Sequence, residues 1–335
     1  MEEERKRYFT MLSKEFPTVL RELIETEPMQ RLQFVGMHCG CELTKISVYK
    51  KRKHNWLGDR LIHSIGVALI TWNFTHSEKQ AVAALFHDIA TPAFAHTVDV
   101  MNGDAEQQES TETNTRKIIA ESSEIQRILK KHKLTTEEVC DYHKYSIADN
   151  DQPKLSADRL EYTLENSLNL LGIDFSTIEK LYNSITVVTN SSGEQELAFS
   201  SKKWAITYTK YALQLAKVYQ CPAVHYFMYK LSELLKVLVN EGVDLMQPES
   251  EIVAKLETNP LTKEEWNQLT QLKQVKRTKH KVFSNSIKGA VKKRYVNPLF
   301  VWAGSEHRVS LYSEDVAIMI QEVLGEDMDV WLTPK

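Results

Sequence analysis

Two apolar segments carry ionisable side chains that an apolar helix has no reason to hold. Residues 60–75 (RLIHSIGVALITWNFT) are apolar almost all round and predict a buried helix containing His63. Residues 78–90 (EKQAVAALFHDIA), stopped by Pro92, predict a second one ending in His87-Asp88. Burying a carboxylate costs several kcal/mol unless it is paired or bound to a cation. Asp88, following Ala-Ala-Leu-Phe-His, therefore needs a partner, and a divalent metal shared with neutral imidazoles is an economical one. A lone histidine on an apolar helix is ordinarily a hydrogen-bonded core residue, and His-Asp adjacency alone carries little. Order and spacing together make the case.

A third group lies at 156–162, Ser-Ala-Asp158-Arg-Leu-Glu161-Tyr162. Asp158 with Glu161 three residues later also fits a helix capping box. Two imidazoles with two carboxylates form a mixed N/O set with coordination positions left for water. Such a set suits Mn, Fe, Co, Ni or Mg better than a closed structural zinc, although Zn also accepts these donors. Open positions allow a bound water to be acidified for attack on a phosphorus ester.

The rest of the chain reads as mostly helical. Only 11 glycines and 9 prolines in 335 residues favour long helices over many turns. Helical spacing predicts helices over 3–26 (interrupted near Pro17), 30–45, 111–131, 135–147 and about 157–171, the last ending at Gly172. A long helical stretch follows over 203–241, bent at Pro222. Residues 185–200 predict a hairpin about Asn190-Ser191-Ser192-Gly193, and 273–303 looks extended in part. The net charge of -3 gives no global attraction to nucleic acid or anionic membrane, and no run approaches the roughly 18 apolar residues of a spanning helix. The charged N-terminus is not expected to be a signal peptide. Cys39, Cys41, Cys140 and Cys221 read as reduced thiols of a cytoplasmic protein.

His63, His87-Asp88 and Asp158, in that order, resemble the metal-ligand pattern of the HD-domain superfamily of metal-dependent phosphohydrolases. Arg60-x-x-His63-Ser64-x-Gly66-Val67 looks like the family's Arg-x-x-His-Ser-x-Gly-Val segment. His87-Asp88-Ile89, with Phe94, His96, Thr97 and Asp99, looks like its His-Asp-(Leu/Ile)-Gly-His-x-Pro-Phe-Ser-His segment. Asp158-Arg159-Leu160-Glu161-Tyr162 and Gly172 look like the Asp-Arg-Leu-Asp-Tyr helix of the deoxynucleoside triphosphate triphosphohydrolase branch. Gln30-Arg31-Leu32 and Tyr295-Val296-Asn297-Pro298-Leu299 are also similar to segments there.

The resemblance implies an HD-domain helical core over 1–175. A helical extension with a hairpin and a small basic C-terminal α+β part would occupy 176–335. It implies one divalent metal held by His63, His87, Asp88 and Asp158. Arg60 would hold a phosphate and His96 would donate a proton or orient the phosphate. Tyr162 would face the same pocket. The expected substrate is a nucleotide, with a deoxynucleoside triphosphate as the first candidate, or another phosphorylated small molecule; assembly of several copies is expected by resemblance alone.

Some positions depart from that branch. Thr91 stands where a second histidine follows the His-Asp pair, and Ala105 stands where the later His-Glu-Gln segment begins. Met37, next to His38, replaces a polar residue that contacts the sugar, and Glu165-Asn166 replaces Arg-Asp. Glu109 or Glu112 are the acidic candidates to substitute for the lost histidines. These departures keep open a nucleotide-binding regulator with weak or no turnover. Between Trp266 and Ser305 there is no Asp or Glu, and basic residues cluster up to Lys292, Lys293 and Arg294. That stretch reads either as a solvated charged face or as an anion site for nucleotide phosphates. Sparse aromatic interleaving argues against nucleic acid.

Overall fold

The computed structural model describes all residues except Met1, Asn55, Glu109, Glu112 and Thr113. The chain is mostly α. Helix Arg60–Thr75 forms as expected, started by Asp59, whose side chain accepts from the Ile62 amide. Every residue from Arg60 to Thr71 is buried, which is why the segment is apolar on all sides. It packs against helices Glu78–Phe86 and Ala157–Asn169 and so brings all four suspected ligands to one place. Gly66 makes the last contact possible: a Cβ there would lie 2.6 Å from Glu161 Cγ and from Glu161 Oε1. A Gly66→Ala protein is expected to lose about 1–3 kcal/mol to overpacking, read as a lower midpoint in urea at unchanged slope.

Several expected helices are shorter. The helix before His87 stops at Phe86 because the His87 ring turns back to bond the Ala84 carbonyl, 2.8 Å away. Residues 111–131 form two helices, Thr115–Glu121 and Ser123–Lys131, with the Ser122 side chain starting the second. Residues 135–147 give only helix Thr136–Val139 and a 3-10 turn, Tyr142–Lys144, because Asp141 accepts from the His143 amide and ends the helix. No helix covers 30–45: after Glu27–Gln30 and the 3-10 turn Arg31–Phe34, Gly36 pairs with Asp59 as an isolated bridge. Cys39 and Gly40 then take positive φ (56° and 83°), which a helix forbids. This segment becomes a wall of the pocket described below.

The hairpin is present as β1 (Ile185–Thr189) and β2 (Gln195–Phe199). The basic stretch contains β3 (Val275–Thr278), then β4 (Leu299–Trp302), followed by β5 (Ser305–Arg308) and finally β6 (Trp331–Pro334). One sheet has the order β1-β2-β4-β5 with β2 and β4 parallel; β3 and β6 form a separate antiparallel pair. The long helical stretch divides into Lys202–Tyr219 and Pro222–Asn240, separated at Pro222. Among the described residues no helix is long and apolar enough to cross a membrane, and all four cysteines are free.

Glu249, at the start of helix Glu249–Thr258, accepts from the Gly36 and Phe94 amides, both at 2.9 Å, and so ties the pocket wall to the turn before His96. Burial first, then the neighbouring Glu249 carboxylate, pushes the Glu42 carboxyl up to about 7. The folded protein therefore keeps a proton that the unfolded chain has released between about pH 4.5 and pH 7, and stability falls as pH rises through that window. Glu42→Gln is expected to flatten this fall by about 1 kcal/mol, a discounted value for a partly solvated carboxyl. Denaturant melts at pH 5 and pH 7.5 measure the difference.

Candidate metal centre and pocket

The ring nitrogens His63 Nε2 and His87 Nε2 face one another at 3.2 Å. Asp158 Oδ1 lies 3.1 Å from His63 Nε2, and Asp88 Oδ2 lies 3.3 Å from His87 Nε2. The cross distances, His63 to Asp88 and His87 to Asp158, are both 3.9 Å. Donors about 2.1 Å from a common ion sit roughly 3.0 Å apart at adjacent positions. These separations are therefore close to the edges of a coordination polyhedron.

The outer nitrogens fix how the two rings are turned. His87 Nδ1 donates to the Ala84 carbonyl, which can only accept. His63 Nδ1 donates to Glu161 Oε2 at 2.5 Å, and Glu161 Oε1 accepts from Tyr8 OH at 2.7 Å. Held from behind in this way, the two rings turn Nε2 toward one point that Asp88 and Asp158 also approach, and that point must hold protons or a cation. Burial disfavours an imidazolium at His63, but Asp158 and Glu161 outweigh it and hold its pKa well above the ordinary value. Asp88 stays well below the usual carboxylate range despite its burial, because Arg60 and His87 are beside it. Protons or a cation must offset this excess of carboxylate, and the donor set fits a divalent ion.

Glu161 is therefore not a cap. It is fully buried behind His63, and the N-cap of its helix is Ser156, which accepts from the Arg159 amide. An acceptor that orients a liganding histidine is a usual second layer of a metal site. Sequence reasoning placed Glu161 in a motif but missed this role.

A pocket of about 230 Å³ opens above the cluster. Met37, His38, Tyr162, Lys292 and Arg294 line it, as expected, together with Arg60 and His96. Three expectations change in detail. Arg60 Nη1 is committed to both Asp88 oxygens at 2.7 Å each, while its Nε is buried without a partner among the described residues. Lys293 is directed away, donating to the Leu324 and Glu326 carbonyls, and is not among the lining residues. His96 donates from Nδ1 to Asp99 at 3.0 Å, and its Nε2 faces an Arg294 nitrogen at 3.4 Å. Burial and the nearby Arg294 and Arg60 push His96 down to about 4, so at neutral pH it is uncharged and offers a lone pair to the pocket.

The position Thr91 serves the cluster differently from a histidine, donating to Asp88 Oδ1 at 2.7 Å. Ala105 is buried and apolar; the suggested substitutes Glu109 and Glu112 lie outside the described residues. His38 is buried, held uncharged by burial (pKa about 3), and its Nε2 has no partner among the described residues. Asn166 Oδ1 and the Tyr219 hydroxyl are likewise unpartnered and belong to the same wall. The structure adds His143, Asp149, Arg159 and Tyr219 to the lining, none of them singled out in the sequence. Asp141 and His143 fall in 135–147, a stretch whose spacing predicts a helix and marks no site, and Asp149 lies just beyond it.

No family model matches the chain. Over 149 residues it is 36% identical to the uncharacterized protein YdhJ of Bacillus subtilis (strain 168), covering 44% of this chain and 43% of that protein. Over 227 residues it is 23% identical to the metal-dependent phosphohydrolase cns2 of Cordyceps militaris, covering 67% of this chain and 63% of that protein. The chain thus matches less than two thirds of the length of either relative. A hypothetical protein from Aquifex aeolicus superposes with a TM-score of 0.62 at 17% identity over 95% of this chain and 92% of that one. A phosphohydrolase from Bacteroides thetaiotaomicron superposes with a TM-score of 0.57 at 12% identity over 96% of each chain. At these identities the two superpositions establish a shared fold.

Proposed function

We propose that this protein is an HD-type metal-dependent phosphohydrolase acting on a nucleotide or other phosphorylated small molecule. In this reading His63, His87, Asp88 and Asp158 are the ligands of one divalent ion. The observation that carries it is the pair of imidazole Nε2 atoms 3.2 Å apart, flanked by the carboxylates of Asp88 and Asp158, among the lining of a pocket that also holds Arg60 and Arg294. The printed name of the Cordyceps militaris relative and that of the Bacteroides thetaiotaomicron structure agree with it. A bound divalent ion would supply Lewis-acid charge and acidify a water molecule beside it.

The chain's own residues do the rest. Arg60, through its unpartnered Nε, and Arg294, both lining the pocket, offset phosphate charge. His96, uncharged, orients Arg294 and accepts a hydrogen bond. Tyr162, Met37 and the unpartnered atoms of His38, Asn166 and Tyr219 form the wall for a ring and its polar edge. A deoxynucleoside triphosphate is the first candidate by the resemblance of 158–162.

The test is a chromatographic assay of Mn-loaded protein against deoxy- and ribonucleotides, with Asp88→Ala alongside. A defined product from the unaltered protein alone is the expected result, and it identifies the bond cut. No product from any nucleotide, with metal measured as bound, would favour instead a nucleotide-binding regulator. Thr91 and Ala105, which replace two histidines of the related triphosphohydrolases, motivate that second reading.

A further inference from the structure

We propose that His143 is the proton donor to the leaving oxygen; this rests on the phosphohydrolase reading above. Among the described titratable groups of the pocket, most are committed elsewhere. His63 and His87 turn Nε2 into the cluster and use Nδ1 behind it. His38 is fully buried and His96 gives its Nδ1 proton to Asp99, leaving only a lone pair toward the pocket. Tyr162 and Tyr219 are phenols whose acidity burial weakens further, so both are poor proton donors.

His143 differs from all of these. It sits in the 3-10 turn Tyr142–Lys144 and lines the pocket together with His96, Arg294 and the four suspected metal ligands. Its ring packs on Tyr142 (centroids 4.3 Å apart), and the Tyr142 ring packs on His87 at 5.2 Å, so the turn is fixed against the metal cluster. Nδ1 lies 3.2 Å from Asp141 Oδ1, and Nε2 lies 3.6 Å from Asp149 Oδ2. Asp149 is held in turn by Arg159 Nη1 at 3.1 Å. Asp141, Asp149 and, behind them, Arg159 are the charged groups around this ring. The carboxylate at Nδ1 accepts the Nδ1 proton and steadies the imidazolium, whose second proton, on Nε2, is the one transferred when the ring acts as a general acid. The side chain is 48% exposed, so solvent can restore the proton after each turnover.

The step balances simply. Water adds its oxygen to phosphorus and releases a proton to solvent. The bond from phosphorus to the leaving oxygen breaks, and that oxygen takes the electron pair and the Nε2 proton of His143. The imidazole is left neutral and is reprotonated from water. No further oxidant, reductant or co-reactant is needed.

The experiment compares unaltered protein with His143→Gln, both Zn-loaded with the metal content measured, on phenyl phosphate, 4-nitrophenyl phosphate and the best nucleotide of the panel. Loss of a general acid is expected to lower kcat on phenyl phosphate and the nucleotide by about 10²–10⁴-fold, and on the activated nitrophenyl ester by about tenfold or less, with KM little changed. Independently of turnover, the His143 imidazole ¹⁵N signals of the Zn-loaded protein should move when inorganic phosphate is added. Equal losses on all three substrates, unchanged kcat, or unmoved signals would overturn the assignment and leave the hydrolase reading standing. Failure of the unaltered, metal-loaded protein on every substrate would overturn that reading and this role with it.

Discussion

Asp88→Ala and Asp158→Ala proteins are both expected to lose metal on dialysis and to lose turnover, yet to differ sharply in stability. Each removes one of four donors around a site whose separations are 3.1–3.9 Å. Asp88 has a second role: its two oxygens take the buried Arg60 guanidinium, and one takes the Thr91 hydroxyl. Removing it leaves Arg60 charged and unpaired in the interior, which typically costs 3–5 kcal/mol. Asp158 is more exposed, with 20% of its side chain reached by solvent, and leaves no trapped arginine behind. Metal content by mass spectrometry, with urea melts in chelator, separates the two effects. An Asp88→Ala protein with full metal and full turnover would refute the assigned site. Equal stability losses in the two variants would show that the Arg60 pair does not carry the difference.

Glu161→Gln should weaken metal binding by about 10–100-fold while leaving the fold intact, and Glu161→Ala should do both kinds of damage. The carboxylate takes protons from His63 Nδ1 and Tyr8 OH and is buried completely. Glutamine keeps one acceptor oxygen but no charge, so His63 becomes a weaker ligand. Alanine opens a cavity and leaves two buried donors without an acceptor, for which about 2–5 kcal/mol of lost stability is expected. Tyr8 lies on helix Glu2–Leu12, so the first helix of the chain is tied to the proposed metal site through the Glu161 carboxylate. Competition titration with Zn and a chromogenic chelator reads the affinity. Unchanged affinity in Glu161→Gln would mean that the His63 tautomer does not depend on this residue.

The helical core was legible because its signals are local. Apolar runs with ionisable residues in the middle locate the helices, and Gly172 after Leu170 marks an end by steric rules that act over a few residues; the helix expected to reach Pro92 ends at Phe86 instead. The hairpin about Asn190–Gly193 was legible for the same reason. Residues 30–45 were misread as helix because the contacts that override their spacing come from Asp59, Phe94 and Glu249, distant in sequence. The turn at 142–144 was misread because one aspartate side chain, Asp141, competes for the backbone.

The same division runs through the site. Residue type and order suggested, through the family resemblance, which four side chains could share a cation, and the cost of burying a carboxylate gave Asp88 its need for a partner. Only the tertiary structure decided what surrounds them. Arg60 turned inward to Asp88, Lys293 turned away, His96 lost its charge to burial and to Arg294, and His143 arrived at the rim. Each outcome depends on desolvation and on charges brought close by packing, and those distances are not encoded in any local stretch of sequence.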